Sequence, residues 1–153
     1  MDLILWRHAE AEDEAPGLRD IDRPLTKRGL DQAERMGKWL NKRLPDECRI
    51  LASPARRTQQ TASALSQQFE TVHELAPGAS VDALLQAAEW PSPSGTVLVV
   101  GHQPTLGLVA ARLLAERLDS WSVRKGAVWW LRSRDRNGRL EVNLLAAQNP
   151  DCL

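Results

Sequence analysis

The chain carries no excess charge: 20 lysines and arginines are matched by 20 aspartates and glutamates. That balance excludes a general electrostatic pull, so neither nucleic acid nor a membrane surface is expected as a partner. A cationic site must instead be local, built from a few converging arginines. No apolar run approaches the length of a membrane span. The first residues reach the charged Arg7 without a basic region or a long apolar core, so no signal peptide is expected. Cysteine is scarce, and its two occurrences, Cys48 and Cys152, form no CxxC or metal-ligand spacing. Two free thiols in a reducing cytosol are the expectation, and with them a cytoplasmic location. Internal repeats and low-complexity segments are also missing. The one linker-like stretch, residues 90–95, is too short to separate two domains. A single domain over residues 1–153 is expected, large enough for one core, with a monomer as the simplest state.

What is present is an alternation of strand and helix signals. Leu3-Ile4-Leu5-Trp6 and Val97-Leu98-Val99-Val100 are continuous apolar runs, the pattern of strands buried on both faces. Arg49–Ala52 and Thr71–His73 are shorter strand candidates. Residues 9–25 form an acid-rich loop with Pro16-Gly17 and Pro24 as breakers. Thr26 reads as the N-cap of a helix that buries Leu30, Ala33, Gly37, Leu40 and Leu44, keeps Gln32 on its polar side and is closed by Pro45. Ser53-Pro54 read as N-cap and N1 of a second helix facing inward through Thr58, Ala62, Leu65 and Phe69. Ser80 starts a third helix, and a fourth follows Pro104. Two strands joined through Asn137-Gly138 close the chain as a hairpin. The order predicts an α/β fold, a three-layer α/β/α sandwich around a mixed, mostly parallel sheet. Trp121, Trp129 and Trp130 are expected in the core or packed on the sheet.

Two histidines stand where buried strands should end: His8 after Arg7, and His102 after Gly101. In open α/β sheets, ligands bind in the crevice beyond the carboxyl ends of the strands. A neutral histidine there can attack phosphorus if its other ring nitrogen is held as a donor, and a guanidinium suits the equatorial oxygens. Arg7 can turn toward the same site only if the strand ends beside it, because neighbouring side chains of a strand point to opposite faces. Ser53 to Ala62 would bring a helix N-terminus to that edge, which favours an anion. Arg57 is then either a crevice residue or a surface arginine like Arg56. His102 either caps its strand or donates to a phosphoryl group. A metal held by His8, His102 and a carboxylate such as Glu10 would need a third ligand that the spacing does not specify.

In this order the three motifs resemble the histidine phosphatase superfamily, the phosphoglycerate mutase-like fold. Arg7-His8 follows an opening apolar strand. Ser53, Arg57, Gln60 and Thr61 meet the pattern Ser-x-x-x-Arg-x-x-Gln-Thr, and Gly101-His102 meets the second histidine motif. That alignment selects Arg57 over Arg56. The segment from Asp22 to Gly29 resembles the SixA-type phosphohistidine phosphatases. The chain departs from the family's Arg-His-Gly signature by placing Ala9 after His8, a change that a positive φ at that position would make costly.

The resemblance implies a phosphatase with His8 as phosphoryl acceptor, Arg7, Arg57 and His102 as the groups that bind and stabilise the phosphoryl, and no cofactor or metal. It implies a phosphorylated protein of the histidine phosphotransfer type as substrate, with a small phosphorylated compound as the alternative. A phosphate-binding module without catalysis is the non-enzymatic rival. Glu74 stands near the position of the family's general acid, and an ordinary loop glutamate is the competing reading. His73 is expected to be structural. The loop acids Glu10, Glu12, Asp13 and Glu14 are expected to face solvent or pair with Arg19, Arg23 or Lys27. The short chain leaves no room for an inserted lid, which predicts an open site.

Overall fold

Strand β1 (Asp2–Arg7) has Leu3 to Trp6 fully buried, as a strand covered on both faces must be. The computed structural model describes residues 1–153. Helix α1 (Lys27–Asn41), strand β2 (Cys48–Ala52), helix α2 (Arg56–Ser63), the two-residue strand β3 (Glu70–Thr71), helix α3 (Val81–Ala87), strand β4 (Thr96–Gly101) and helix α4 (Thr105–Ala115) follow. The chain then ends in the hairpin of β5 (Val128–Arg136) and β6 (Arg139–Gln148). The strands form one sheet in the order β3-β2-β4-β1-β5-β6. β1 to β4 pair in parallel, while β5 runs antiparallel to β1 and β6 antiparallel to β5.

Alternation along the strands sorts the core into two layers. Leu3, Leu5, Val97 and Val99 join Val81, Leu84, Leu106 and Val109 from α3 and α4. Ile4, Trp6, Leu98 and Val100 join Met36, Leu40 and Ala62 from α1 and α2. This is the expected three-layer sandwich. At the hairpin, Asn137 and Gly138 both take positive φ, the backbone a tight two-residue turn requires. Trp130 is buried, and its indole donates to the Asp2 carboxylate; Trp121 and Trp129 are half-buried against the α3/α4 layer.

Several expectations are corrected in detail. The buried side of α1 is Gly29, Gln32, Ala33, Met36, Gly37 and Leu40, whereas Leu30 is 48% exposed. The reason is local: a Cβ on residue 29 would come within 2.0 Å of the Glu10 carbonyl, so the glycine is where helix and loop touch. Gln32 lies one turn on, and its side-chain oxygen accepts from Glu10 N at 3.0 Å. α1 ends at Asn41, before Pro45. α2 begins at Arg56 with Ala55 as N-cap, not at Ser53-Pro54. Only Glu70 and Thr71 of the third strand pair with β2, and His73 starts a short 3-10 turn, exposed to solvent.

Candidate active site

Register places the two histidines together. Arg7 pairs with Gly101 across β1 and β4, so His8 and His102 leave adjacent strands at the same level. Their rings lie 5.3 Å apart, centroid to centroid, and both residues are buried. On the other side of β4, Ala52 pairs with Val100, which sets Ser53 beside the same edge. Ser53 Oγ lies 2.7 Å from His102 Nε2 and accepts from Ala55 N at 3.2 Å. The serine hydroxyl can donate to Nε2, and in that arrangement the imidazole proton of His102 stands on Nδ1.

His8 has a fixed tautomer. Its Nδ1 lies 2.7 Å from the Ala9 carbonyl, which can only accept, so Nδ1 carries the proton and Nε2 the lone pair. Burial pushes its pKa down to about 4, and the charges of Arg57, Arg7 and Arg23 push the same way. His102 is pushed down to about 3 by burial, then by His8, Arg57 and Arg7, with Asp20 opposing. Both rings are neutral at pH 7.

Arg57 is only 3% exposed, unlike its exposed neighbour Arg56. Its Nη1 donates to the Asp20 carbonyl at 2.8 Å and its Nη2 to the Asp20 carboxylate at 3.1 Å. Arg7 Nη1 donates to the Val123 carbonyl at 2.9 Å. Three buried side-chain nitrogens in the whole chain lack a hydrogen-bond partner: Arg7 Nε, Arg57 Nε and His102 Nδ1. All three belong to the residues whose charges and rings surround His8. Unpaired buried donors are costly, and an acceptor with several oxygens would satisfy such a set.

Residues 3–80 match the profile of the histidine phosphatase superfamily (branch 1). The chain belongs to the histidine phosphatase superfamily. It is 33% identical to the phosphohistidine phosphatase SixA of Escherichia coli over 122 residues, 74% of each chain. It is 34% identical to an uncharacterized protein of Mycobacterium tuberculosis over 109 residues, 68% of this chain and 66% of that relative's length. Its fold is similar to that of the protein histidine phosphatase SixA solved with tungstate, with a TM-score of 0.79 to 0.80 across SixA structures and 0.80 for this one, at 26% identity over 99% of both chains.

Within this superfamily member, the motif residues divide into those at the cluster and those that brace it. Thr61 Oγ1 accepts from Ala9 N at 3.1 Å and donates to the Arg57 carbonyl at 2.8 Å, tying α2 to the residue after the first histidine. Gln60 Oε1 accepts from Leu25 N at 2.7 Å and so pins the end of the acid-rich loop. Ala9 does not take a positive φ, and its methyl is buried with Leu25 and Ala33, so the family's glycine is replaced without backbone strain.

Asp20 is the site residue that sequence reasoning missed. It sits in a short 3-10 turn, Asp20–Asp22, and its carboxylate bridges Arg57 and Arg23, with Arg23 Nε at 2.9 Å. Two arginines hold that carboxyl below its ordinary range through hydrogen bonds and charge, against the opposing effect of burial. One acid among many in a loop carries no spacing signal. Arg23 and Arg19 thus pair with Asp20 and Asp22, not with Glu12, Asp13 or Glu14, which are exposed. Glu10 is half-buried and accepts from the Thr26 hydroxyl at 2.9 Å. Glu74 is exposed and makes no hydrogen bond or ion pair with the cluster.

Proposed function

We propose that the protein is a phosphatase that works through a phosphohistidine on His8, without a metal, and acts on phosphohistidine displayed by another protein. The observation that carries the reading is the set of three unpartnered buried nitrogens beside a histidine whose lone pair is held on Nε2. The phosphoryl oxygens accept from Arg7, Arg57 and His102, charge-assisted contacts that strengthen as the transferring group develops charge. His8 Nε2 then forms a bond to phosphorus while the P–N bond of the substrate breaks. Nδ1–H keeps its bond to the Ala9 carbonyl throughout, which supports the ring as it takes up charge. Water next attacks the phosphorus, releases inorganic phosphate and restores the lone pair on Nε2.

The leaving group favours phosphohistidine over an ester. A substrate imidazole that carries a proton on its other nitrogen departs as a neutral ring. An ester oxygen must be protonated as it leaves. Glu74, the candidate acid, makes no bond to the cluster, and the carboxylate whose charge reaches His102, Asp20, is held ionised by two arginines. Neither histidine lines the larger cavities of the chain, and an open crevice would suit a group presented on another protein's surface.

Turnover of a phosphohistidine-bearing protein compared with a panel of small phosphomonoesters tests the substrate. Preference for the protein is expected, and preference for an ester overturns it. His8→Ala is expected to abolish both turnover and acid-labile ³²P labelling of the chain. Retained turnover would remove His8 as the phosphoryl acceptor, and loss of activity on chelation would point to a metal instead.

A further inference from the structure

A polar cleft of about 330 Å³ opens directly beside the phosphoryl site, and Arg7 lines it. Its walls come from the N-terminal half of α1, the segment before β5 and the C-terminal 3-10 turn, and none of its lining residues is hydrophobic. Four cationic side chains, Arg7, Arg28, Arg124 and Lys125, face two carboxylates, Glu10 and Asp151. The chain as a whole is neutral, so this excess of positive charge is a local concentration.

The two carboxylates offset half of the cationic charge and leave two positive charges in excess. Glu10 is turned to the Thr26 hydroxyl. Asp151 stands 3.8 Å from Arg28 and 3.9 Å from Arg124, long exposed contacts that contribute little. The segment bearing Arg124 and Lys125 is nevertheless firmly placed: Gly126 N donates to the His8 carbonyl at 3.0 Å, and Arg7 Nη1 holds the Val123 carbonyl. The cations therefore stand at a set position relative to His8 while their side chains remain exposed.

We propose that this cleft receives acidic side chains that flank the phosphohistidine on the partner protein. The proposal rests on the phosphohistidine reading above and adds what the partner's surface must look like. Walls without apolar side chains offer nothing to a hydrophobic anchor. Exposed arginine and lysine on either side of the crevice complement aspartates and glutamates, and they set the docking orientation and the encounter rate.

The test is the double variant Arg124→Glu with Lys125→Glu, assayed on a phosphohistidine-bearing protein and on phosphoramidate, a minimal P–N substrate too small to reach Arg124 and Lys125. A loss of about tenfold or more in kcat/KM is expected on the protein, carried by KM and by a weaker salt dependence. Phosphoramidate turnover should stay within about twofold, and the neutral variant Arg124→Gln with Lys125→Gln should fall between. Equal losses on both substrates, or no loss on the protein, overturn the cleft as a docking surface. So does a loss confined to small compounds bearing a second anionic group. A wild-type chain that hydrolyses phosphoramidate but no phosphohistidine protein overturns the functional reading itself, and the docking proposal with it.

Discussion

At the scale of single residues, charge is controlled by what each group touches. Arg57 is buried in a first helical turn because Asp20 meets it with both a carbonyl and a carboxylate, and Arg23 shares that carboxylate. Removing one member of such a pair leaves a buried charge poorly compensated. Asp20→Ala is therefore expected to lower kcat/KM by about tenfold or more, as Arg57 loses its orientation. Asp20→Asn keeps the carbonyl contact and the side chain's shape but deletes a negative charge near the proposed anion site. It is expected to tighten inhibition by inorganic phosphate several-fold, read from the inhibition constant; weaker inhibition would show that Asp20 only braces the loop. The histidines and Arg57 were legible because a strand end and a motif spacing mark them. Asp20 was not, since nothing local distinguishes it from Glu12, Asp13 or Glu14, and its partner lies in a different element.

At the scale of elements, the site is a consequence of how α1, α2 and the acid-rich loop lock together. Thr26 caps α1 by accepting from Gly29 N at 2.9 Å, and the loop returns to the helix where Gly29 meets Glu10. Gly29→Ala would set a methyl against a backbone carbonyl, where no side chain can swing aside. A destabilisation of about 1–3 kcal/mol in urea unfolding is expected, together with loss of turnover as the loop after His8 shifts. An unchanged midpoint would mean that the helix and loop separate without consequence. Helix periodicity identified α1 and its cap, yet its phase was misjudged at Leu30 and Gln32. Hydropathy ranks leucine inward and glutamine outward, whereas the close contact at Gly29 and the amide of Glu10 decide the rotation of the helix.

At the scale of the whole molecule, the buried neutral histidines tie the proposed site to the stability of the fold. His8 has an ordinary pKa near 6.5 in an unfolded chain and about 4 in the folded site. Between those values the unfolded chain binds the extra proton, so stability is complete above about pH 6.5 and is lost as pH falls toward 4. For His8 that loss is on the order of 3 kcal/mol, and His102 acts in the same direction. Denaturation curves between pH 7 and 4 should show this decline, and it should be shallower for His8→Asn; equal slopes would contradict the burial argument. The sequence by itself determined the layers, the parallel core and the two strand-end histidines, because buried strands and their boundaries are written in short apolar runs. Only the tertiary structure decided which groups surround those histidines. Register across β1, β4 and β2 aligns His8, His102 and Ser53, and long-range hydrogen bonds bring Asp20 to Arg57 and the residues before β5 to Arg7. Those pairings join segments far apart in the chain, where no local pattern records them.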